Sequence, residues 1–317
     1  MNAVDRETQL WYWLLYKEGL TTARAKNLLE TWRTQGITLE AALAALPESA
    51  LAAGFSDAEI AALRPPERLE SVAAIRWNEP LYPSRLLQLE AKLRPALLFY
   101  RGDPRLLARP LLVVPPAPLD DAAAALLQEA LSQLLGEGML PAATRGAAQA
   151  TLLLGELADS EGEALLFVRQ GLETLELSPQ EQRFLAEGRL LLVSPLHPGA
   201  TANAKWDASL LQVELSAAEL LLWVSATAPI GSLPTTRTLW LTPTPPSVTP
   251  LPGLQITDEP GEVLLWLSQS GGEPPAPPAE APLTAPPLPP LPPAEALRIL
   301  ERGGAIPEVL RRRLLEK

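Results

Sequence analysis

Between residues 77 and 272, short and nearly continuous apolar runs alternate with stretches of helical periodicity, and few folds accommodate that alternation. The runs lie at 96–100, 110–114, 164–168, 189–194, 219–225 and 237–242, and the helical stretches at 120–135, 149–157, 178–187 and 208–215. A strand that is apolar on both faces must be buried on both, which calls for helices on each side of a parallel sheet. The fold class is therefore α/β, a doubly wound, Rossmann-like parallel sheet.

Residues 1–76 read differently. Leu10, Trp11, Leu14 and Leu15 share one helical stripe, and Ala25, Leu28, Leu29 and Trp32 repeat the spacing. A third helix is predicted at 39–46 and a fourth at 56–63, where Ser56 and Glu59 make a capping box. Pro65 and Pro66 close this helical domain. At the other end, 273–293 holds 11 prolines in 21 positions and reads as a stiff polyproline-type linker. The last segment, 294–317, is a basic amphipathic tail. It is broken by Gly303 and Gly304, with Leu310, Leu314 and Leu315 opposite Arg311–Arg313. Either a solvated terminal helix or a helix that docks in a partner's groove fits this pattern.

Composition removes several classes of function. With no Cys, thiolate nucleophiles and Cys-based metal sites are excluded. His197 is the single histidine, which argues against His triads and multi-His metal sites. Lys and Arg number 26 against 37 Asp and Glu, a net charge of −11, which is unsuited to coating duplex DNA. No apolar run approaches a membrane span, and the run 10–16 is too short for a signal peptide. The expectation is a cytoplasmic chain.

The first strand-to-helix turn of a doubly wound sheet is where a phosphate would sit, on glycine amides at a helix N-terminus. Here Val114 is followed by Pro115, Pro116, Ala117 and Pro118, then by Asp120 and Asp121. Prolines offer no N–H, and the aspartates repel an anion, so this turn is unfit for a dinucleotide. Ser194 lacks the Gly-x-Ser-x-Gly frame of a nucleophile elbow. Asp159, Glu161 and Glu163 read as a solvated acidic loop. His197, past the end of a predicted strand, has no catalytic partner in sequence. The expected protein is not an enzyme and uses no cofactor or metal. One local exception to the acidity runs from Arg85 to Arg109. Arg85, Lys92, Arg94, Arg101, Arg105 and Arg109 face only Glu90 and Asp103, with Trp77, Phe99 and Tyr100 nearby to stack on unpaired bases.

The order of segments from about residue 8 to 268 resembles the DprA/Smf family, bacterial DNA-processing proteins of natural transformation. The stretch Gly19-Leu-Thr-Thr-Ala-Arg-Ala-Lys-Asn-Leu-Leu-Glu-Thr-Trp32 is similar to the family's leading helix-hairpin-helix or SAM-like domain. Ile75-Arg-Trp-Asn-Glu-Pro-Leu-Tyr-Pro-Ser-Arg-Leu86 and Arg94-Pro-Ala-Leu-Leu-Phe-Tyr-Arg-Gly-Asp-Pro104 carry the family's Tyr-Pro, apolar strand and Gly-Asp. The segment from Gly138 to Gly146 resembles a strand and turn that keeps Arg145-Gly146. Gly188 to Thr201 resembles the family's Gly-apolar-Ser-Glu strand, with Pro195 in place of the Glu, and its Pro-Pro-Gly-Thr loop; Gly231-Ser-Leu233 resembles a tight turn, and 258–267 the closing segment.

The resemblance implies non-enzymatic binding of single-stranded DNA and loading of a RecA-type recombinase during DNA uptake, with competence proteins as partners and a homodimer as an expected assembly. The family's pocket motifs are altered, however. Its Val-Gly-Ser-Arg turn becomes Val114-Pro-Pro-Ala117, and its Arg-Asn-Arg falls near Ala208–Leu210, where no arginine stands. DNA binding is therefore expected to be weakened and to rest on Arg85, Lys92, Arg94, Arg101, Arg105, Arg145, Lys205 and Arg237. The alternative is a family member that serves as a protein–protein interaction scaffold without DNA binding.

Overall fold

A computed structural model describes residues 5–17, 20–45, 63, 65, 72–135, 138–227, 237–245 and 254–270. The predicted helix 56–63 (apart from Leu63), the Gly231–Leu233 turn, the linker 273–293 and the tail 294–317 lie outside the described residues.

The strands form one nine-stranded sheet: β1 (Ala74–Arg76), β2 (Leu97–Gly102), β3 (Leu111–Val114), β4 (Leu140–Thr144), β5 (Ala164–Phe167), β6 (Leu190–Ser194), β7 (Leu220–Val224), β8 (Arg237–Leu241) and β9 (Leu254–Thr257). Their order is β1-β2-β6-β5-β4-β3-β7-β8-β9. From β6 through β9 every pairing is parallel. The chain steps outward from β3 to β6, then returns to place β7 beside β3. That reversal marks a doubly wound sheet.

The helices of the sheet region are α4 (Asp121–Leu134), α5 (Ala148–Ala158), α6 (Pro179–Ala186), α7 (Asp207–Ala217) and α8 (Gly261–Ser270). The first three join successive strands in one direction, and α7 carries the reversal, so right-handed crossovers put it on the opposite face. Leu112, Ala142, Leu165, Leu191 and Leu221 are completely buried, as strands covered on both faces require.

β2 departs from the all-parallel expectation. It runs antiparallel to β6, with Phe99 opposite Ser194 and Gly102 opposite Leu191, and β1 pairs antiparallel outside it. An apolar run records burial but not direction, which the connections fix. β1 also lies on the N-terminal side of the 76/77 division. β4 carries Pro141 and small alanines, so residue pattern alone does not mark it as a strand.

The N-terminal helices α1 (Arg6–Tyr16), α2 (Thr22–Thr34) and α3 (Leu39–Ala44) pack on this edge of the sheet, within a single compact unit, Met1–Ser268. Both apolar stripes read from the sequence are buried. Thr21 and Thr38 cap α2 and α3. Glu7 of α1 accepts from the Leu39 and Glu40 amides at the start of α3, and it is also 3.8 Å from Arg76 of β1. Trp11 meets Trp77 edge-on at 5.4 Å, which joins helix and sheet edge in one core.

Candidate nucleic-acid interface

In a doubly wound sheet the ligand crevice opens at the C-terminal strand ends where the order reverses, here between β3 and β7. The proline turn fills it. Gln149, buried in the first turn of α5, donates through Nε2 to the Ala117 carbonyl at 2.7 Å. From the other side, Ser225 Oγ donates to the Pro118 carbonyl at 3.1 Å. Trp240 Nε1 donates to the Ser225 carbonyl at 2.9 Å. Asp120 already caps α4 by accepting from the Ala123 amide, and its carboxylate with that of Asp121 sets negative charge where an anion would sit. The cavity along this edge, between Phe167, Val193, Leu210, Val213 and Glu214, measures about 10 Å³.

Two arginines stand beside the plugged crevice, one just past β4 and one just past β5. Arg145 donates from Nε and Nη2 to the two oxygens of Glu181, at 2.6 and 3.0 Å. Glu181 is only 3% exposed and is also the third residue of the Ser178 capping box at the start of α6. Burial pushes its carboxyl up. The hydrogen bonds from Arg145 and from the Ser178 amide outweigh that and hold it below its ordinary value. Arg169 makes the same bidentate contact with Glu214 of α7, both at 2.9 Å. Thr144 Oγ1 adds a third hydrogen bond to Glu214, at 2.6 Å. The Arg169 guanidinium is held above its ordinary value, first by the Glu214 hydrogen bond; desolvation opposes this.

Farther along the edge, Ser194 Oγ donates to the Gln170 carbonyl, so it is a structural hydroxyl. His197 contacts Tyr12 of α1. Next come Lys205 and Trp206, on a 3-10 turn that opens directly into α7. Lys205 is exposed and has no carboxylate partner among the described residues. Trp206 is 41% exposed, the most exposed of the eight tryptophans.

The remaining predicted cations lie elsewhere. Arg85 pairs with Glu219 at 2.6 Å and Arg109 with Glu163, both at the N-terminal strand ends. They flank a cleft of about 280 Å³ near Tyr82, Ser84 and Leu107. Lys92 pairs with Glu90, and Arg105 with Asp103. Arg94 lies 4.9 Å from the Trp77 ring and donates to the Leu87 carbonyl, so it serves as a packing residue. Arg101 is exposed near the N-terminal end of β6, and Arg237 sits over Trp266 at the start of β8. Neither has a carboxylate partner among the described residues. Of the eight predicted residues, only Arg145 and Lys205 lie at the C-terminal edge. Sequence reasoning passed over Arg169, although its place just past an apolar run is a signal for that edge.

A doubly wound sheet with an antiparallel wing and a helical cap on that wing defines a class of α/β fold. DNA processing protein A (DprA) from Streptococcus pneumoniae has this fold: the match covers 81% of this chain and 97% of that chain, with a TM-score of 0.57 at 15% identity. A structure of DNA processing protein A from Helicobacter pylori, described for its single-stranded DNA binding mode, matches 56% of this chain and 89% of that one, with a TM-score of 0.43 at 11% identity. The likeness to the first is one of fold, and the second adds no argument at that score. No protein-family model matches the chain, and no curated protein matches it in sequence.

Proposed function

We propose that this chain is a non-enzymatic single-stranded-DNA-binding protein of the DNA-processing type, which holds its strand weakly and presents it to a RecA-type recombinase during DNA uptake. One observation carries the reading. At the C-terminal edge of a DprA-like sheet, Lys205, without a carboxylate partner among the described residues, stands beside a solvent-facing Trp206. A cation and an exposed ring in succession are what an unpaired strand requires, one for a phosphate and one for a base. The sequence resemblance implies the same activity. Weakness follows because Arg145 and Arg169 are already neutralised by buried glutamates. Those pairings also favour the second reading, a protein–protein scaffold without DNA binding.

Tryptophan fluorescence separates the two. A short oligothymidylate should quench the emission of the wild-type chain, and Trp206→Phe should abolish that quenching while leaving the buried-tryptophan signal intact. Unquenched emission at low salt would leave the scaffold reading.

A further inference from the structure

Glu214 is 4% exposed, yet three donors converge on its carboxylate: Arg169 Nε and Nη2, and Thr144 Oγ1. The donors come from the C-terminal ends of the adjacent strands β4 and β5, the edge where this fold class holds ligands. A guanidinium fork with a hydroxyl beside it matches two or three oxygens of a phosphate as well as it matches a carboxylate. Arg169 keeps 22% of its side chain in solvent. It also lies 4.0 Å from Asp207, the residue that follows Trp206.

We propose that Arg169 and Thr144 form a phosphate-binding seat that Glu214 occupies as an internal surrogate, so that phosphate binding and the Glu214 contact exclude each other. The seat is built at the strand ends, from the last residue of β4 and the bend just past β5, while its occupant rides on α7, directly after the exposed Lys205–Trp206 turn. A phosphate held at that turn is thus on the path to the seat. Displacement of the Glu214 carboxylate is the step that admits it. The proposal rests on the single-stranded DNA reading only for the source of the phosphate; the seat itself is tested without DNA.

The test compares wild type, Glu214→Ala and Glu214→Ala/Arg169→Met by thermal unfolding in about 50 mM inorganic phosphate against chloride of equal ionic strength. Wild type should show no phosphate-specific shift. Glu214→Ala should gain about 2–4 °C in phosphate beyond chloride, the shift expected from a site several-fold saturated. The double variant should lose that gain. A folded Glu214→Ala with no phosphate-specific gain overturns the proposal, as does an equal gain in the double variant. If Glu214→Ala is unfolded in chloride, circular dichroism on phosphate titration should show it refold, and failure to refold also overturns the seat. Glu214→Gln, which keeps the shape and removes the charge, should bind a labelled single strand about tenfold more tightly than wild type. A phosphate-specific shift without that gain would uphold the seat and overturn DNA as its source.

Discussion

Tyr12 of α1 and His197 of the loop after β6 are bonded across 185 positions of sequence, with Oη 2.8 Å from Nε2 and the two rings stacked at 5.6 Å. The Gly199 amide donates to His197 Nδ1 at 3.1 Å. An N–H can only donate, so the neutral ring carries its proton on Nε2 and donates it to Tyr12 Oη. Tyr16 closes on the same imidazole edge-on at 4.7 Å. Burial, and then the neighbouring Tyr12, push the Tyr16 phenol well above its ordinary range. The one histidine therefore ties the helical cap to the C-terminal edge of the sheet. Tyr12→Phe keeps the ring contacts and removes the hydrogen bond, so it should cost about 1 kcal/mol. Urea unfolding should show a lower midpoint with an unchanged slope.

The Arg145–Glu181 pair makes stability pH-dependent in a known direction. The carboxyl of Glu181 lies below its ordinary value of 4.5 in the folded chain. Its contribution is therefore fully present above that value and is lost as pH falls through the depressed folded value. Glu181→Gln should destabilise by about 1.5–3 kcal/mol at neutral pH. The gap between wild type and variant should narrow as denaturation is repeated below pH 4.5. A gap that is constant with pH would contradict the assignment.

Gly171 marks the interlock of the loops after β5 and β6. Its amide donates to the Ala200 carbonyl at 2.7 Å, and a Cβ there would collide with the backbone of His197 and Pro198. Backbone on both sides leaves no flexible atom to yield. Gly171→Ala should destabilise by about 1–3 kcal/mol, the range for overpacking, as read by chemical denaturation.

Lys205 and Trp206 should affect binding and leave stability alone. Substitution of either by Ala at an exposed position should keep unfolding free energy within about 0.5 kcal/mol of wild type. Trp206→Ala should weaken single-strand binding by about 1–3 kcal/mol, the value of one base–aromatic stack. Lys205→Ala should lower the slope of log affinity against log salt by about 0.7, one phosphate contact.

Periodicity and burial were legible in the sequence where they act locally. The apolar runs at 164–168 and 189–194 became β5 and β6, and the stripes of α1 and α2 became core. Strand direction was not legible, as β2 shows, because the pattern that buries a strand is the same either way. The unfit proline turn could also be read directly, since Pro115, Pro116 and Pro118 lack donors wherever they fold. Charge pairing could not. Arg85 and Glu219 are 134 positions apart, and Arg169 and Glu214 are 45 apart, so a count along the chain credits cations that the fold has already neutralised. The run from Arg85 to Arg109 looked like one basic patch because its residues are close in sequence. In the fold, Arg85, Lys92, Arg105 and Arg109 pair with Glu219, Glu90, Asp103 and Glu163, and Arg94 packs on Trp77, so most of that charge is already compensated.

Fluorescence-anisotropy titration of a labelled strand of about 40 nucleotides, at low and moderate salt, tests the central claim most directly. Wild type should bind weakly at low salt and release as salt rises, by screening and counterion uptake. Lys205→Glu/Trp206→Ala should abolish the signal, while Arg101→Glu, an exposed change near the N-terminal end of β6, should reduce it far less. No binding at low salt, or binding that survives loss of Lys205 and Trp206, would contradict the assignment of the C-terminal edge as the DNA surface.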